Sequence, residues 1–248
     1  MSARGSSSHR PAAEQQSIDP IGIAVAASIP IATHTAYLGW LDRPLALASV
    51  VFVAVIAAVL FGRAPSERPI ECASITIFGA LYAGGPLSCA YALRHHPWVV
   101  GDIAGSALLF FPIIVTWATD IGAYAFGRMF GKAKLMPNVS PGKTRAGAYG
   151  GLALGLLAAV TFNLWVLRPL AHVTLSTGTA TVFGIVLAAA VQVGDLAESL
   201  FKRQGGVKDS SHVFPGHGGV LDRLDSLYFS LPVAYLVLGQ LLLLPVPT

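Results

Sequence analysis

Seven apolar runs follow one another along the chain, near residues 21–41, 45–62, 70–93, 98–127, 147–167, 180–201 and 225–245. A helix rises ~1.5 Å per residue, so about 20 apolar residues cross the roughly 30 Å hydrocarbon layer of a bilayer. Backbone polar groups find no water in lipid, which leaves helices or a closed barrel as the only spanning structures. The strict alternation of barrel strands is absent, so the expected fold is all-α. It is a polytopic integral membrane protein with about seven transmembrane helices. The fourth run is long for a single crossing, and a break near Pro112 would divide it; eight or nine spans are the alternatives. Only 11% of the 248 residues are charged, against about 25% in a typical soluble domain, and 54% are hydrophobic. A soluble domain is thereby excluded.

The placement of positive charge tests the seven-span count. With the N-terminus inside, the inner stretches hold Arg4, Arg10, Arg63, Arg68, Arg128, Lys132, Lys134, Lys143, Arg145, Lys202, Arg203, Lys208 and Arg223. The outer stretches hold only Arg43, Arg94 and Arg168. This asymmetry follows the positive-inside rule and turns both long polar loops, 128–146 and 202–224, to the cytoplasm. A bacterial cytoplasmic membrane with an inward-facing active site is the expected location. Residues 1–20 are Ser-rich, with no short apolar region before a cleavage site, and read as a disordered tail rather than a signal peptide. Residues 21–248 read as one transmembrane domain. Cys72 and Cys89 fall in one predicted helix about 25 Å apart, too far for a disulfide within it. No internal repeat of the transporter kind is visible. Gly147, Gly151 and Gly155 form a small-residue ridge suited to close helix packing.

The chemistry is concentrated in residues 199–225, SLFKRQGGVKDSSHVFPGHGGVLDRLD. Lys202, Arg203, Lys208 and Arg223 suit phosphate oxygens, and Gly205, Gly206, Gly218 and Gly219 let backbone N–H groups approach an anion. Asp222 and Asp225 are three apart at a helix start and point the same way; either alone would read as a first-turn acid. Asp195 and Glu198 lie at membrane depth on the preceding helix, and Asp120 on the fourth, where a carboxylate costs several kcal/mol unless it faces a cavity or partner. Asp195, Glu198, Ser199 and Lys202 share one helix side, with Glu198–Lys202 pairing as the plain structural reading. Asp120 and Tyr124 share another. Asp195, Asp222 and Asp225 form a hard oxygen set suited to one or two Mg²⁺ ions. Zinc is disfavoured, because His212 and His217 lack a third His or Cys at ligand spacing. Gly142, Lys143 and Thr144 end like a P-loop, yet Pro137 stands where that motif needs Gly, and no strand is expected before it. Lys143 and the nearby hydroxyls of Ser140 and Thr144 still suit phosphate oxygens. Lys132, Lys134 and Arg145 read as contacts to anionic lipid.

The run KRQGGVKDSSHVFPGHGGVLDRLDS resembles the signature of the phosphatidate cytidylyltransferase, or CDP-diacylglycerol synthase, family. Asp120 to Gly127 (Asp-x-x-Ala-Tyr-x-x-Gly), Ser140 to Thr144 (Ser-Pro-x-Lys-Thr) and Gly194-Asp195-Leu196 with Glu198-Ser199 are similar to the same family. The resemblance covers about residues 115–230, the expected catalytic half. It departs at Ala146, where the family has Glu before Gly147, and at Gly142, commonly basic. The resemblance implies transfer of CMP from CTP to phosphatidate, with pyrophosphate released and CDP-diacylglycerol left in the membrane. It also implies a homodimer; no nucleic-acid partner is expected.

The expected site is then as follows. Asp195, Asp222 and Asp225 hold Mg²⁺. Lys202, Arg203, Lys208, Arg223 and Lys143 hold the phosphates, with Ser140, Thr144 and Asp209 beside them. His217, with the Gly218–Gly219 backbone, orients the leaving pyrophosphate, and Asp120 supports the site from the facing helix. Two rivals stand beside this reading. One is an ion-coupled transporter using the intramembrane acids; the other is a catalytically silent lipid-binding paralogue.

Overall fold

The structure is a computed structural model that describes residues 19–41, 44–62, 68–96, 101–206 and 221–242 together with Ala64 and Ser66; the side chains of 19, 44–47, 221–223 and 240–242 are outside that description. The described chain is mostly helical: α1 Asp19–Tyr37, α2 Pro44–Gly62, α3 Pro69–Arg94, α4 Asp102–Phe130, α5 Arg145–Phe162, α6 Thr177–Gln204 and α7 Leu221–Leu242. Each falls within a few residues of an apolar run, because lipid-facing and core-facing residues alike must be apolar. Four of these helices are long and apolar enough to cross a membrane: α3, α4, α5 with the π-helical turn Asn163–Leu167 that extends it, and α6.

The chain divides into two compact units, Met1–Gly84 and Gly85–Thr248. In the first, Val59 of α2 packs on Cys72 and Ala73 of α3. Gly84 lies so close to the Ala26 backbone of α1 that an added Cβ would collide with its carbonyl oxygen. Both cysteines are free thiols.

The second unit holds the main core, where Leu108, Phe111 and Val115 of α4 meet Phe183 and Leu187 of α6 and Leu231, Ala234 and Leu238 of α7. The Phe111 ring stacks on Phe162 and Phe183 at centroid distances of 5.3 and 4.4 Å. The break considered at Pro112 does not occur; α4 runs unbroken through it. A membrane helix tolerates such a proline where its surroundings re-satisfy the backbone; separately, the Thr116 hydroxyl donates to the Pro112 carbonyl at 2.8 Å.

The glycine ridge of α5 packs as its spacing implies. A Cβ at Gly147 would stand 2.6 Å from the Ala123 oxygen, and one at Gly151 3.0 Å from that of Thr119. At Gly155 it would run into the Thr119 hydroxyl and stand 2.8 Å from Ala188 Cβ. The ridge therefore brings α4 and α6 against α5 at backbone distance. Gly155→Val is expected to destabilise the protein by about 1–3 kcal/mol through overpacking. Thermal unfolding in detergent checks it, with Gly142→Ala, where nothing lies within 4 Å, as the silent control.

One expectation fails in the loop after α4. No strand was expected there, yet Lys134–Met136 and Ser140–Thr144 form a short antiparallel hairpin, β1 and β2. Three and five residues with a proline carry too little alternation to read as strands. Lys143 lies inside β2 rather than in a phosphate-wrapping loop, so the P-loop reading stays excluded on different grounds. The hairpin runs straight into α5: Thr144 ends β2 and caps the helix, its hydroxyl accepting the Gly147 N–H at 3.1 Å.

Candidate active site

Helix direction decides where the acids meet. Asp120 is eighteen residues into α4 and Asp195 eighteen into α6, which is about 27 Å along each axis. Both therefore stand near the far boundary of a roughly 30 Å hydrocarbon layer entered at the helix start. Helices α5 and α7 run the other way, so their N-terminal turns bring Thr144, Gly147 and Asp225 to the same level. The four helix ends enclose a cavity of about 600 Å³ whose lining includes Asp120, Lys143, Thr144, Asp195, Asp225 and Ser226.

Lys143 Nζ stands 2.7 Å from Asp195 Oδ2. Its alignment is that of a close ion pair rather than of a directed hydrogen bond. The pair ties the hairpin to α6. Asp225 Oδ1 accepts the Ser226 N–H at 2.6 Å and lies 3.2 Å from the Ser226 hydroxyl. The same hydroxyl is 3.5 Å from Asp120 Oδ1, so Ser226 stands between the two carboxyls. Asp195 and Asp225 are both within electrostatic reach of Asp120, with Lys143 as the opposing charge. Like charges brought this close around one space are stabilised by cations and hydrogen bonds.

Among the described residues no group of three His, Cys, Asp or Glu is close enough to hold a metal ion. The side chain of Asp222, the third carboxylate expected, lies outside them. The donor chemistry nevertheless fits a hard divalent cation, since all these acids offer carboxylate oxygen and none offers sulfur or imidazole.

Not every expected residue reaches the cavity. Ser140 does not line it, and neither do Lys202 and Arg203. Lys202 Nζ lies 3.5 Å from Glu198 Oε2, on a Glu198 that is only 2% exposed, so the plain pairing on α6 is the one that forms. Lys208, Asp209, His212, His217, Gly218 and Gly219, with the side chains of Asp222 and Arg223, lie outside the described residues. Four polar lining residues were missed as site residues. Tyr124 and Arg128 continue the Asp120 stripe at four and eight positions on, and the Arg128 guanidinium donates to the Tyr124 hydroxyl at 2.9 Å. Gln192, one turn before Asp195, donates to the Ala148 carbonyl at 3.2 Å and fastens α6 to the first turn of α5. Ser226 follows Asp225 directly. Helical spacing from the acids would have found the first three.

Residues 10–241 match the Cytidylyltransferase family. The chain belongs to that family. Several relatives are named phosphatidate cytidylyltransferase. That of Bacillus subtilis is 42% identical over 140 residues, 56% of this chain and 49% of the relative. That of Haemophilus influenzae is 48% identical over 128 residues, 52% of this chain and 44% of the relative. That of Staphylococcus haemolyticus is 38% identical over 177 residues, 68% of this chain and 60% of the relative. This cytidylyltransferase-family chain spans about half the length of the curated relatives it matches. The family resemblance read from the motifs is borne out, and the relatives lend no support to a transporter.

Proposed function

We propose that the protein is a phosphatidate cytidylyltransferase, transferring CMP from CTP to phosphatidate in phospholipid biosynthesis. One observation carries the reading: a cytidylyltransferase-family chain gathers Asp120, Lys143, Asp195 and Asp225 from separate elements into one cavity at one end of its helices. Both substrates are anionic, so the site must supply positive charge at a membrane surface. In this reading an oxygen of the phosphatidate phosphate attacks the α-phosphorus of CTP. A new P–O bond forms, the bond from the α-phosphorus to the α,β-bridging oxygen breaks, and pyrophosphate leaves with that oxygen and the electron pair. The attacking oxygen is already ionised near neutral pH, so no general base is needed. Positioning and charge neutralisation do the catalysis, as in other phosphoryl-type transfers.

Lys143 holds a phosphate oxygen, and Asp195 keeps the Lys143 ammonium directed into the cavity. The N-terminus of α5, rimmed by Thr144 and Gly147, favours negative charge through the helix dipole. Arg128 adds a second cation on the rim. Asp120 supports the arrangement through Ser226. Mg²⁺, held by Asp195, Asp225 and Asp222, would neutralise the triphosphate when bound. Lys208 and Arg223 complete the phosphate contacts, with Asp209 beside them, and His217 with Gly218 and Gly219 orients the leaving pyrophosphate. Seven spans in a bacterial cytoplasmic membrane, the cavity facing the cytoplasm and a homodimer complete the proposal, supported by the charge asymmetry and the family.

Purified protein in detergent, given radiolabelled CTP, phosphatidate and Mg²⁺, is expected to yield labelled lipid. CTP binding without labelled lipid would instead favour the silent paralogue. The departure at Ala146 has its own test. Ala146 is the second residue of α5, half-buried, in a first turn that carries no acid. A glutamate there suits the helix dipole and leaves the Thr144 cap in place. Ala146→Glu is therefore expected to fold normally and to raise or broaden activity by a few-fold; an unchanged rate and substrate range would show that alanine is tolerated.

A further inference from the structure

One polar contact lies deeper than the cavity and takes no part in the steps above. Thr116 of α4 and Ser230 of α7 are 1% and 0% exposed, and their hydroxyl oxygens are 2.9 Å apart. Thr116 Oγ1 is also 2.8 Å from the Pro112 carbonyl. A hydroxyl has one proton, so Thr116 donates to the carbonyl and accepts from Ser230, and both are satisfied without water. One turn nearer the cavity the same helices meet again, Ser226 against Asp120. From the first contact to the second, α4 advances four residues and α7 retreats four. The two contacts are successive rungs on one antiparallel seam.

Around these rungs the contact is apolar, with Val115 and Phe111 on α4 and Leu231 and Ala234 on α7. Apolar burial is non-directional and leaves sliding and rotation of one helix on the other weakly defined. A hydroxyl pair in hydrocarbon is different, because no water replaces a lost partner. We propose that the Thr116–Ser230 hydrogen bond sets the register of α4 against α7 and thereby the spacing of Asp120 and Asp225 across the cavity. Both are positioning residues, since neither lines the cavity. The inference rests on reading that cavity as the cytidylyl-transfer site. A shift of about 1 Å in reacting groups can cost on the order of a hundredfold in rate, so the seam matters more to turnover than to stability.

The experiment compares Ser230→Ala, Thr116→Val, their double variant and the conservative Thr116→Ser in detergent. Ser230→Ala and Thr116→Val are expected to lower kcat about tenfold or more, with KM for CTP within about threefold and thermal midpoints close to wild type. The double variant is expected to be no worse than Thr116→Val alone, because both single variants remove the same inter-helix bond. Thr116→Ser, which keeps the hydroxyl, is expected to restore the rate. A kcat within twofold of wild type, a fall that only follows the folded fraction, additive losses, or a Thr116→Ser as poor as Thr116→Val would each overturn the inference. A readout independent of activity accompanies these. With Cys72 and Cys89 replaced by serine, spin labels on the exposed Ile121 and Leu236 report the α4–α7 distance. That distance is expected to shift or broaden in Ser230→Ala. An unchanged distribution overturns the inference, whereas wild-type protein that makes no CDP-diacylglycerol overturns only the reading beneath it.

Discussion

Asp225→Asn is expected to lower Mg²⁺-dependent CMP transfer by about three orders of magnitude, with folding and membrane insertion near wild type. The substitution is isosteric, and an asparagine oxygen still accepts the Ser226 N–H that Asp225 Oδ1 accepts at 2.6 Å. What is removed is one negative charge from the set proposed to hold the cation. A metal's stabilisation of transition-state charge is worth several kcal/mol, and each 1.36 kcal/mol is about tenfold in rate. The rate is measured as labelled lipid formed across a Mg²⁺ titration, with thermal unfolding run in parallel. Asp222→Asn is expected to behave alike. Wild-type turnover in either variant would remove that residue from the metal set.

Lys143→Met is expected to reduce turnover by about two orders of magnitude, the usual loss when one fixed donor to a developing charge is removed. The helix start survives, because the cap is the neighbouring Thr144 hydroxyl. Asp195→Asn tests how the lysine is held. Asp195 Oδ2 lies 2.7 Å from Lys143 Nζ, so residues this close act as a unit and their losses do not add. The double variant is expected to be less impaired than the product of the two single losses. Full additivity, measured as kcat/KM, would show that the two side chains act independently.

Much of this arrangement was legible in the sequence, for a physical reason. A helix in lipid must be apolar over most of its length, so the helix positions and the intramembrane acids stand out without any knowledge of partners. The three-residue interval between Asp222 and Asp225, the small-residue ridge at Gly147, Gly151 and Gly155, and the family motifs are likewise local patterns. The hairpin was not legible. Its strands are too short for a period, and their pairing, Lys134 opposite Thr144, depends on the chain folding back before α5. Nor was the fate of Lys202, which spacing allowed to serve either the site or Glu198. The structure pairs it with Glu198 because that acid is buried and one helical turn away.

The sequence by itself determined a helical membrane protein of the cytidylyltransferase family, with its acids and its phosphate-suited lysines and glycines at the ends of particular helices. The helical membrane character rests on transfer of apolar side chains into lipid, the site residues on residue type, and the family on the resemblance of its motifs, all of them properties of each segment alone. Only the tertiary structure decided which groups meet. It set Lys143 on Asp195, put Ser226 between Asp120 and Asp225, and brought Tyr124, Arg128 and Gln192 to the cavity wall. It also paired Thr116 with Ser230 across 114 positions of chain. Such contacts follow from how closely glycine lets α4, α5 and α6 approach and from the register of α7, and no stretch of sequence carries either quantity within itself.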